Sequence, residues 1–369
     1  MKKTSKIAVL GVSGLVGGAI AKKLIEKGYT NIVGTYNSRK PNIENIKLVK
    51  LDLTRQEDTE NFFKEYNPEY VFLSAARVGG ILANNTYKAQ FIYDNIMIAA
   101  NVIDSAYKYG VKKLLNLGSS CIYPKHAPQP MKEEHLLTGP LEQTNEPYAI
   151  AKISAIKLVR YYNEQYGTNF ISAMPTNLYG PGDNFNLETS HVLPALIRKF
   201  HLAKLLEEGD IEGVKKDLQK TPIGFGLDKK IDYNKEDTIL KALKSIGITK
   251  DYVMVWGSGE VYREFLYIDD LAEACVYLME NVEAERMREF CADFFVNVGV
   301  GEDIKLKDLF YLVRDIIGFK GEIRHDLSKP DGTPRKLLDV SKIFNLGWRP
   351  KVSLEEGIRK TYEWYRSEK

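Results

Sequence analysis

The stretch 7-IAVLGVSGLVGGAIAKKLIEKG-28 decides how the first half of the chain is read. An apolar run enters Gly11, and from Leu15 onward apolar positions recur at helical spacing, so a buried strand gives way to an amphipathic helix. Between them lies 11-GVSGLVG-17, a Gly-x-x-Gly-x-x-Gly spacing. Glycines there permit a tight turn, close approach of a pyrophosphate to the backbone and close helix-to-strand packing. The helix start offers unpaired N–H groups to the anion. Three glycines alone are a weak signal. Between a first strand and a first helix they mark a dinucleotide turn, with Gly11, Val12, Ser13, Gly14, Leu15, Val16 and Gly17 as its contacts.

Outward from that turn the alternation repeats. Strand candidates are 32-IVGTY-36, 46-IKLVKL-51, 70-YVFL-73, 114-LLNL-117 and 169-NFISAM-174, and helical patterns fill 57–66, 87–110 and 148–167. Strand and helix in regular alternation predict an α/β fold, a Rossmann-type doubly wound parallel sheet with helices on both faces. Past Pro175 the pattern loosens, which predicts a smaller C-terminal substrate-binding lobe. The expected division is residues 1–175 for dinucleotide binding and 176–369 mainly for substrate, with some segments returning to the first domain. Residues from about 204 to 250, rich in Lys, Asp, Glu and Gly, read as an insertion with partial helices such as 235–247. The segment 353–369 reads as a closing amphipathic helix.

Bulk composition narrows the partners. Of 369 residues 44% are hydrophobic and 27% charged, and 52 basic residues nearly balance 49 acidic ones for a net charge of +3. That balance points away from nucleic acid, which is met by clustered basic stripes. No apolar stretch reaches the roughly 20 residues that cross a bilayer, and the Lys-rich start followed by 7-IAVL-10 reads as a strand and not as a secretion signal. Cys121, Cys275 and Cys291 are odd in number and lack metal-ligand spacing, so reduced thiols, a cytoplasmic location and no metal are expected.

An acidic residue closing the second strand would bind the ribose of NAD. Here 35-TYNSRKP-41 has no carboxylate and places Arg39 and Lys40, with Asn37 and Ser38, where a 2′-phosphate would lie. NADP is therefore the expected cofactor, against the plainer reading of two solvated basic residues in a loop. Asp52 and Leu53 fall at the third strand tip, near the adenine.

In 148-YAIAK-152, Tyr148 and Lys152 share one helix face. A phenol of ordinary pKa about 10 exchanges protons poorly at neutrality, and an adjacent ammonium is expected to lower that value. Upstream, 117-LGSSCIYPK-125 brings Ser119 to a strand tip, where its hydroxyl can address the same substrate oxygen. Each residue has a plainer role available: Cys121 as a core hydrophobe, His191 in a helix first turn capped by Ser190, Trp256 in packing and Arg263 as a surface charge.

Taken together, 74-SAARVGGILANNT-86, 118-GSSCIYPK-125, 145-NEPYAIAK-152, 175-PTNLYGPGDN-184, 190-SHVLPALI-197, 256-WGSG-259, 263-REFLYIDD-270 and 329-KPDGTPRKLLDV-340 resemble the GDP-L-fucose synthase family of extended short-chain dehydrogenases/reductases. The resemblance implies NADPH-dependent reduction at C4 of a GDP-linked 4-keto-6-deoxy sugar, preceded by epimerisation at C3 and C5, in nucleotide-sugar biosynthesis for surface glycans. It implies Ser119, Tyr148 and Lys152 as the reductase triad and Cys121 and His191 as the epimerisation acid/base pair. Cofactor contacts would extend to Ala75, Ala76, Leu117, Gly118, Ser120, Lys152, Pro175, Thr176, Asn177, Leu178 and His191. Asn177, Lys199, Trp256, Arg263 and Asp331 would meet the sugar nucleotide, and a homodimer is implied.

The chemistry is coherent. C3 and C5 both neighbour the C4 carbonyl, so deprotonation at either leaves an enolate on the oxygen that Tyr148 and Ser119 address. Inversion needs two titratable groups, and a thiol of ordinary pKa about 8.5 with an imidazole of about 6.5 suits neutral pH. The alternative is a C4-reductase acting on a GDP-4-keto-6-deoxy-heptose, with epimerisation left to a separate enzyme. A nucleotide sensor without turnover would lack Tyr148 or Lys152. A 4,6-dehydratase would carry carboxylates where Ser120 and Cys121 stand.

Overall fold

The computed structural model describes residues 1–79, 81–329 and 331–367. Its strands along the chain are β1 (Ile7–Leu10), β2 (Ile32–Tyr36), β3 (Lys47–Lys50), β4 (Tyr70–Leu73), β5 (Lys113–Leu117), β6 (Phe170–Pro175), β7 (Asn177–Tyr179), β8 (Tyr252–Trp256), β9 (Tyr262–Arg263), β10 (Phe265–Tyr267), β11 (Phe295–Val298), β12 (Ile304–Lys305), β13 (Glu322–Asp326) and β14 (Arg335–Lys336). The helices are α1 (Leu15–Glu26), α2 (Gln56–Tyr66), α3 (Ile81–Thr86), α4 (Lys88–Lys108), α5 (Glu146–Tyr166), α6 (Val192–Glu207), α7 (Ile211–Lys220), α8 (Glu236–Ser245), α9 (Ile268–Asn281), α10 (Ala284–Phe290), α11 (Leu306–Ile317), α12 (Ser341–Asn345) and α13 (Leu354–Ser367). Of the quoted motifs, Gly80 and Pro330 lie outside the described residues, as do residues 368 and 369 of the segment expected to close the chain as a helix.

Seven strands make one sheet in the order β11-β6-β5-β4-β1-β2-β3, every neighbouring pair parallel. This is the doubly wound arrangement that the alternating pattern predicted. Strands β1 and β5 are buried along their whole length, as helices cover both faces, and so their sequences run apolar without alternation. One polar residue joins such a run: Lys113 begins β5, and its buried ammonium donates to the carbonyls of Leu278 (3.0 Å) and Met279 (2.9 Å) near the end of α9. Chain order reverses between β1 and β4, so the crevice for a ligand opens where those strands end.

The sheet core and a second apolar core are distinct. Several elements of the second half escaped the pattern reading, among them β11, which returns to the sheet edge beside β6, and α9, which packs on α1. The 204–250 stretch supplies core and does not merely decorate it. Val214, Leu218, Ile223, Ile239, Leu243 and Ile248 all belong to the second apolar cluster. Charged residues dominated its composition, but α7 and α8 turn one apolar face inward.

Arg198 on α6 is wholly buried and bonded on every side. Its guanidinium donates to Asp217 on α7 (3.0 Å) and to the carbonyls of Phe185 (2.9 Å), Pro222 (2.8 Å) and Thr221 (2.5 Å). Tyr365 on α13 donates to the other Asp217 oxygen at 2.5 Å. Breaking a buried pair strands a charge, so Arg198→Met, which keeps the bulk but leaves the Asp217 carboxylate without that guanidinium, is expected to lower stability by about 3–5 kcal/mol. The midpoint of urea unfolding measures it, and Arg198→Met/Asp217→Asn should recover part of the loss.

Candidate active site

At the tip of β1 the backbone turns through Gly11 with φ at +95°, and Gly14 donates to the Gly11 carbonyl at 3.2 Å. A Cβ on Gly17 would lie 2.2 Å from that same carbonyl, so only glycine lets α1 start this close to the strand. The helix begins without a side-chain cap and without an acidic residue in its first turn, and its N–H groups remain for an anion. These features fit a dinucleotide pyrophosphate.

The turn opens on a cleft of about 1090 Å³. Gly11, Ser13, Gly14, Leu15, Val16 and Gly17 line it, with Asn37, Arg39, Asp52, Leu53, Ala75, Ala76, Leu117, Gly118, Ser120 and the run Pro175, Thr176, Asn177, Leu178. Ser119, Cys121, Tyr148, Lys152 and His191 line the same cleft. Three residues expected to meet the cofactor are not among the cleft's lining. Val12 is buried beneath the turn against Gly34, and Ser38 and Lys40 are exposed on either side of the cleft-lining Arg39.

Lys152, buried one turn along α5 from Tyr148, donates to the Leu117 carbonyl at 2.8 Å, and its Nζ stands 5.7 Å from the phenol ring centre. Burial holds the ammonium down at about 8. The expectation that this ammonium would lower the Tyr148 pKa is reversed. Burial, and then the negative charge that Cys121 would carry when ionised, pushes the phenol above its ordinary value, and the Lys152 ammonium does not offset them. Phe91 closes one side of the ring edge-on at 6.4 Å. In this state the Tyr148 phenol keeps its proton at neutral pH.

Ser119 caps a short 3-10 turn, its hydroxyl accepting the Cys121 N–H at 3.4 Å, and so the hydroxyl and the thiol leave the β5 tip side by side. Burial pushes the Cys121 thiol up, against the pull of Lys336, the Ser119 hydroxyl and Lys152. His191 itself is the N-cap of α6, and the Ser190 hydroxyl is buried without a partner and does not cap it. The His191 ring meets the open cleft but is crowded by protein, and burial and then Lys336 lower its pKa. Lys336 thus acts on both candidate proton-exchange groups. Sequence reading passed over it inside 329-KPDGTPRKLLDV-340, because only the tertiary pairing of β14 with β9 brings it to the cleft. Arg77, Asn145 and Asp183 line the cleft too and were not singled out. Asp183 carries a buried Oδ2 without a hydrogen bond among the described residues, and burial pushes its carboxyl up to about 7.

Lys199, Trp256, Arg263 and Asp331 do not line this cleft and instead form a neighbouring group. Lys199 donates to the Met254 carbonyl at 2.9 Å and is held down at about 8 by burial. Asp331 accepts from the Ser258 N–H at 2.6 Å and hydroxyl at 2.8 Å, and Arg263 donates to the Tyr262 carbonyl at 2.7 Å. Trp256 is 55% exposed with the Lys329 ammonium 5.4 Å from its ring centre. The two groups meet at the β9–β14 ladder, where Arg263 lies opposite Lys336. Among the described residues no group of three or more His, Cys, Asp or Glu could hold a metal ion, no helix is long and apolar enough to cross a membrane, and all three cysteines are free and buried.

A dinucleotide turn sharing its cleft with a strand-tip serine and a Tyr–Lys helix is the working arrangement of the short-chain dehydrogenases and reductases, and fold and site define an oxidoreductase of that class. The chain belongs to the NAD dependent epimerase/dehydratase family, whose sequence profile matches residues 7–218 and 229–298, and within it to the group of the GDP-L-fucose synthases. It is 48% identical to GDP-L-fucose synthase 1 of Arabidopsis thaliana, over 98% of this chain and 94% of that one. It is 42% identical to the GDP-L-fucose synthase of Escherichia coli, over 98% and 96%. Among experimental structures it resembles a GDP-6-OMe-4-keto-L-xylo-heptose reductase from C. jejuni, at 40% identity over 100% and 99% of the two chains with a TM-score of 0.88. It also resembles a GDP-mannoheptose C4 reductase from Campylobacter jejuni with NADP bound, at 38% identity over 99% of each chain with a TM-score of 0.82.

The shared influence of Lys336 yields a measurable consequence. The His191 imidazole is expected to titrate below the ordinary value of about 6.5, and Lys336→Met should move its midpoint upward. Ring-proton NMR over pH 4–8 follows both shifts.

Proposed function

We propose that the protein reduces C4 of a GDP-linked 4-keto-6-deoxy sugar with NADPH, after exchanging protons at C3 and C5 of the same sugar. The observation that carries this reading is that Ser119, Tyr148, Cys121 and His191 line one cleft with the glycine turn. The fit of the turn to a pyrophosphate, and Arg39 on the cleft wall without a carboxylate after β2, support NADP over NAD. Bound there, NADPH would supply the hydride.

In this mechanism the C4 oxygen lies between the Ser119 hydroxyl and the Tyr148 phenol. Cys121 and His191 take and return protons at the neighbouring carbons while the oxygen holds the enolate charge, stabilised by those two donors. The neutral phenol then gives its proton to C4–O as the carbonyl is reduced. Lys152, anchored on the Leu117 carbonyl, keeps a positive charge near the emerging tyrosinate. Arg263 and Lys336, opposite one another across the ladder, suit a diphosphate, with the exposed Trp256 face offered to a base.

A second reading draws on the heptose reductases among the structural relatives: C4 reduction of a GDP-keto-heptose without epimerisation. The proposal includes a cytoplasmic location. It also includes a homodimer, for which the exposed Tyr93 on α4 and Tyr161 on α5 offer apolar surface.

Incubation with a GDP-4-keto-6-deoxy sugar in deuterated water, before NADPH is added, tests the epimerase step. Deuterium is expected at C3 or C5 by NMR, and its absence alongside intact C4 reduction selects the second reading. Cys121→Ala should suppress that exchange while some reduction persists. Tyr148→Phe should lower reduction by about 10²–10⁴-fold. Equal loss of both reactions in both variants would refute the division of labour.

A further inference from the structure

The strand that brings Lys336 to the cleft is tied to the cofactor side through Glu264. In the ladders Arg263 lies opposite Lys336 and Phe265 lies opposite Asn177, so Glu264 is the residue at which the chain passes from one pairing to the other. Its main-chain carbonyl accepts the Asn177 side-chain amide at 2.8 Å and the Thr176 hydroxyl at 3.3 Å. Its carboxylate is fully buried. One oxygen accepts the N–H groups of Val300 (2.6 Å) and Gly301 (2.8 Å), and the other accepts that of Leu338 (3.0 Å), two residues beyond Lys336. No ion pair to Glu264 occurs among the described residues, and the three N–H groups meet its charge instead. A Cβ on Gly299 would sit 2.2 Å from the first oxygen, so the loop before Val300 closes on the carboxylate as tightly as glycine allows.

We propose that Glu264 is a positioning residue: by holding the Leu338 N–H it fixes β14, and with it the Lys336 ammonium, against the side of the cleft that carries Cys121 and His191. The inference rests on the functional reading only in treating those two residues as the proton-exchange pair. Cys121 faces Lys336, Lys152, the Ser119 hydroxyl and the Tyr148 phenol, and His191 faces Lys336. Arg263 and Glu142 act in turn on Lys336. Lys336 lines the same cleft as both members of the pair, and of these groups it alone acts electrostatically on both, so its placement sets the charge that the thiol and the imidazole share. A carboxylate that anchors the strand two residues away decides that placement without meeting the substrate.

The test reads the Cys121 thiol directly in the full chain without substrate, since alkylation follows the thiolate fraction. Iodoacetamide labelling of Cys121 is followed by peptide mass spectrometry across pH 6–10 in wild type, Glu264→Gln, Lys336→Met and the double variant. Lys336→Met is expected to raise the half-labelling pH by about half a unit or more. Glu264→Gln, which keeps the size but sets an amide against the backbone N–H groups, should move it the same way. The double variant should match Lys336→Met alone. Gly299→Ala, pressing on the carboxylate from the other side, should shift the profile in the same direction.

Additive shifts in the double variant, or a wild-type profile in Glu264→Gln or Lys336→Met, overturn the proposal. So does loss of the thermal melting transition in both Glu264→Gln and Gly299→Ala, which would make Glu264 a folding residue. Failure of wild type to turn over any GDP-keto sugar would overturn the functional reading while leaving the labelling result to stand or fall by itself.

Discussion

A parallel sheet ends all its strands at one edge, and there the backbone ladder runs out of partners. This protein closes that edge with polar contacts that carry the ladder one step further. Gly11 donates to the Thr35 carbonyl, Gly118 to that of Ala173 and Thr176 to that of Val298, while the Ser74 hydroxyl donates to the Leu10 carbonyl at 2.7 Å. Lys152 satisfies the Leu117 carbonyl in the same way. Because these strand tips are fastened, the glycine turn, the Ser119–Cys121 segment and the Asn177 side chain leave the sheet in fixed directions around one cleft. Orientation of this kind is what a reaction shared among several side chains requires.

Within the cleft, burial outweighs local charge for most titratable groups. Lys152 is held down at about 8, Asp183 rises to about 7, and the Tyr148 phenol rises as well. Desolvation penalises whichever form is charged, so each group moves toward neutrality. A neutral phenol and a neutral imidazole are the forms needed to give and to accept a proton near pH 7. Lys336 works against this trend for the thiol and with it for the imidazole, because one positive charge favours thiolate and disfavours imidazolium.

The second apolar core and its surroundings are built by different means. Short two- and three-residue strands pair across distant parts of the chain, and the buried Arg198–Asp217–Tyr365 cluster binds α6, α7 and α13 beneath them. Two adjacent basic residues on α6 thereby separate into distinct tasks. Arg198 is consumed by the interior, while the Lys199 ammonium bonds to the Met254 carbonyl of β8, beside the group containing Trp256 and Arg263. Adjacent positions on a helix point about 100° apart, so one faces the core when the other faces a neighbouring strand.

The sequence by itself determined the sheet of the first half, the dinucleotide turn and the Tyr148–Lys152 helix, since each rests on local signals: apolar runs, a glycine spacing and a one-turn separation. Motif resemblance singled out Cys121 and His191 as well, and the fold brings both to the cleft. Tertiary structure alone decided that Lys336 joins the two in one cleft, that the Tyr148 phenol is raised, that Arg198 belongs to the core and that the 204–250 stretch helps to build it. Those outcomes depend on strand pairings such as Arg263 with Lys336, some seventy residues apart in the chain, and on how much water each side chain keeps, and neither quantity is encoded within any short window of sequence.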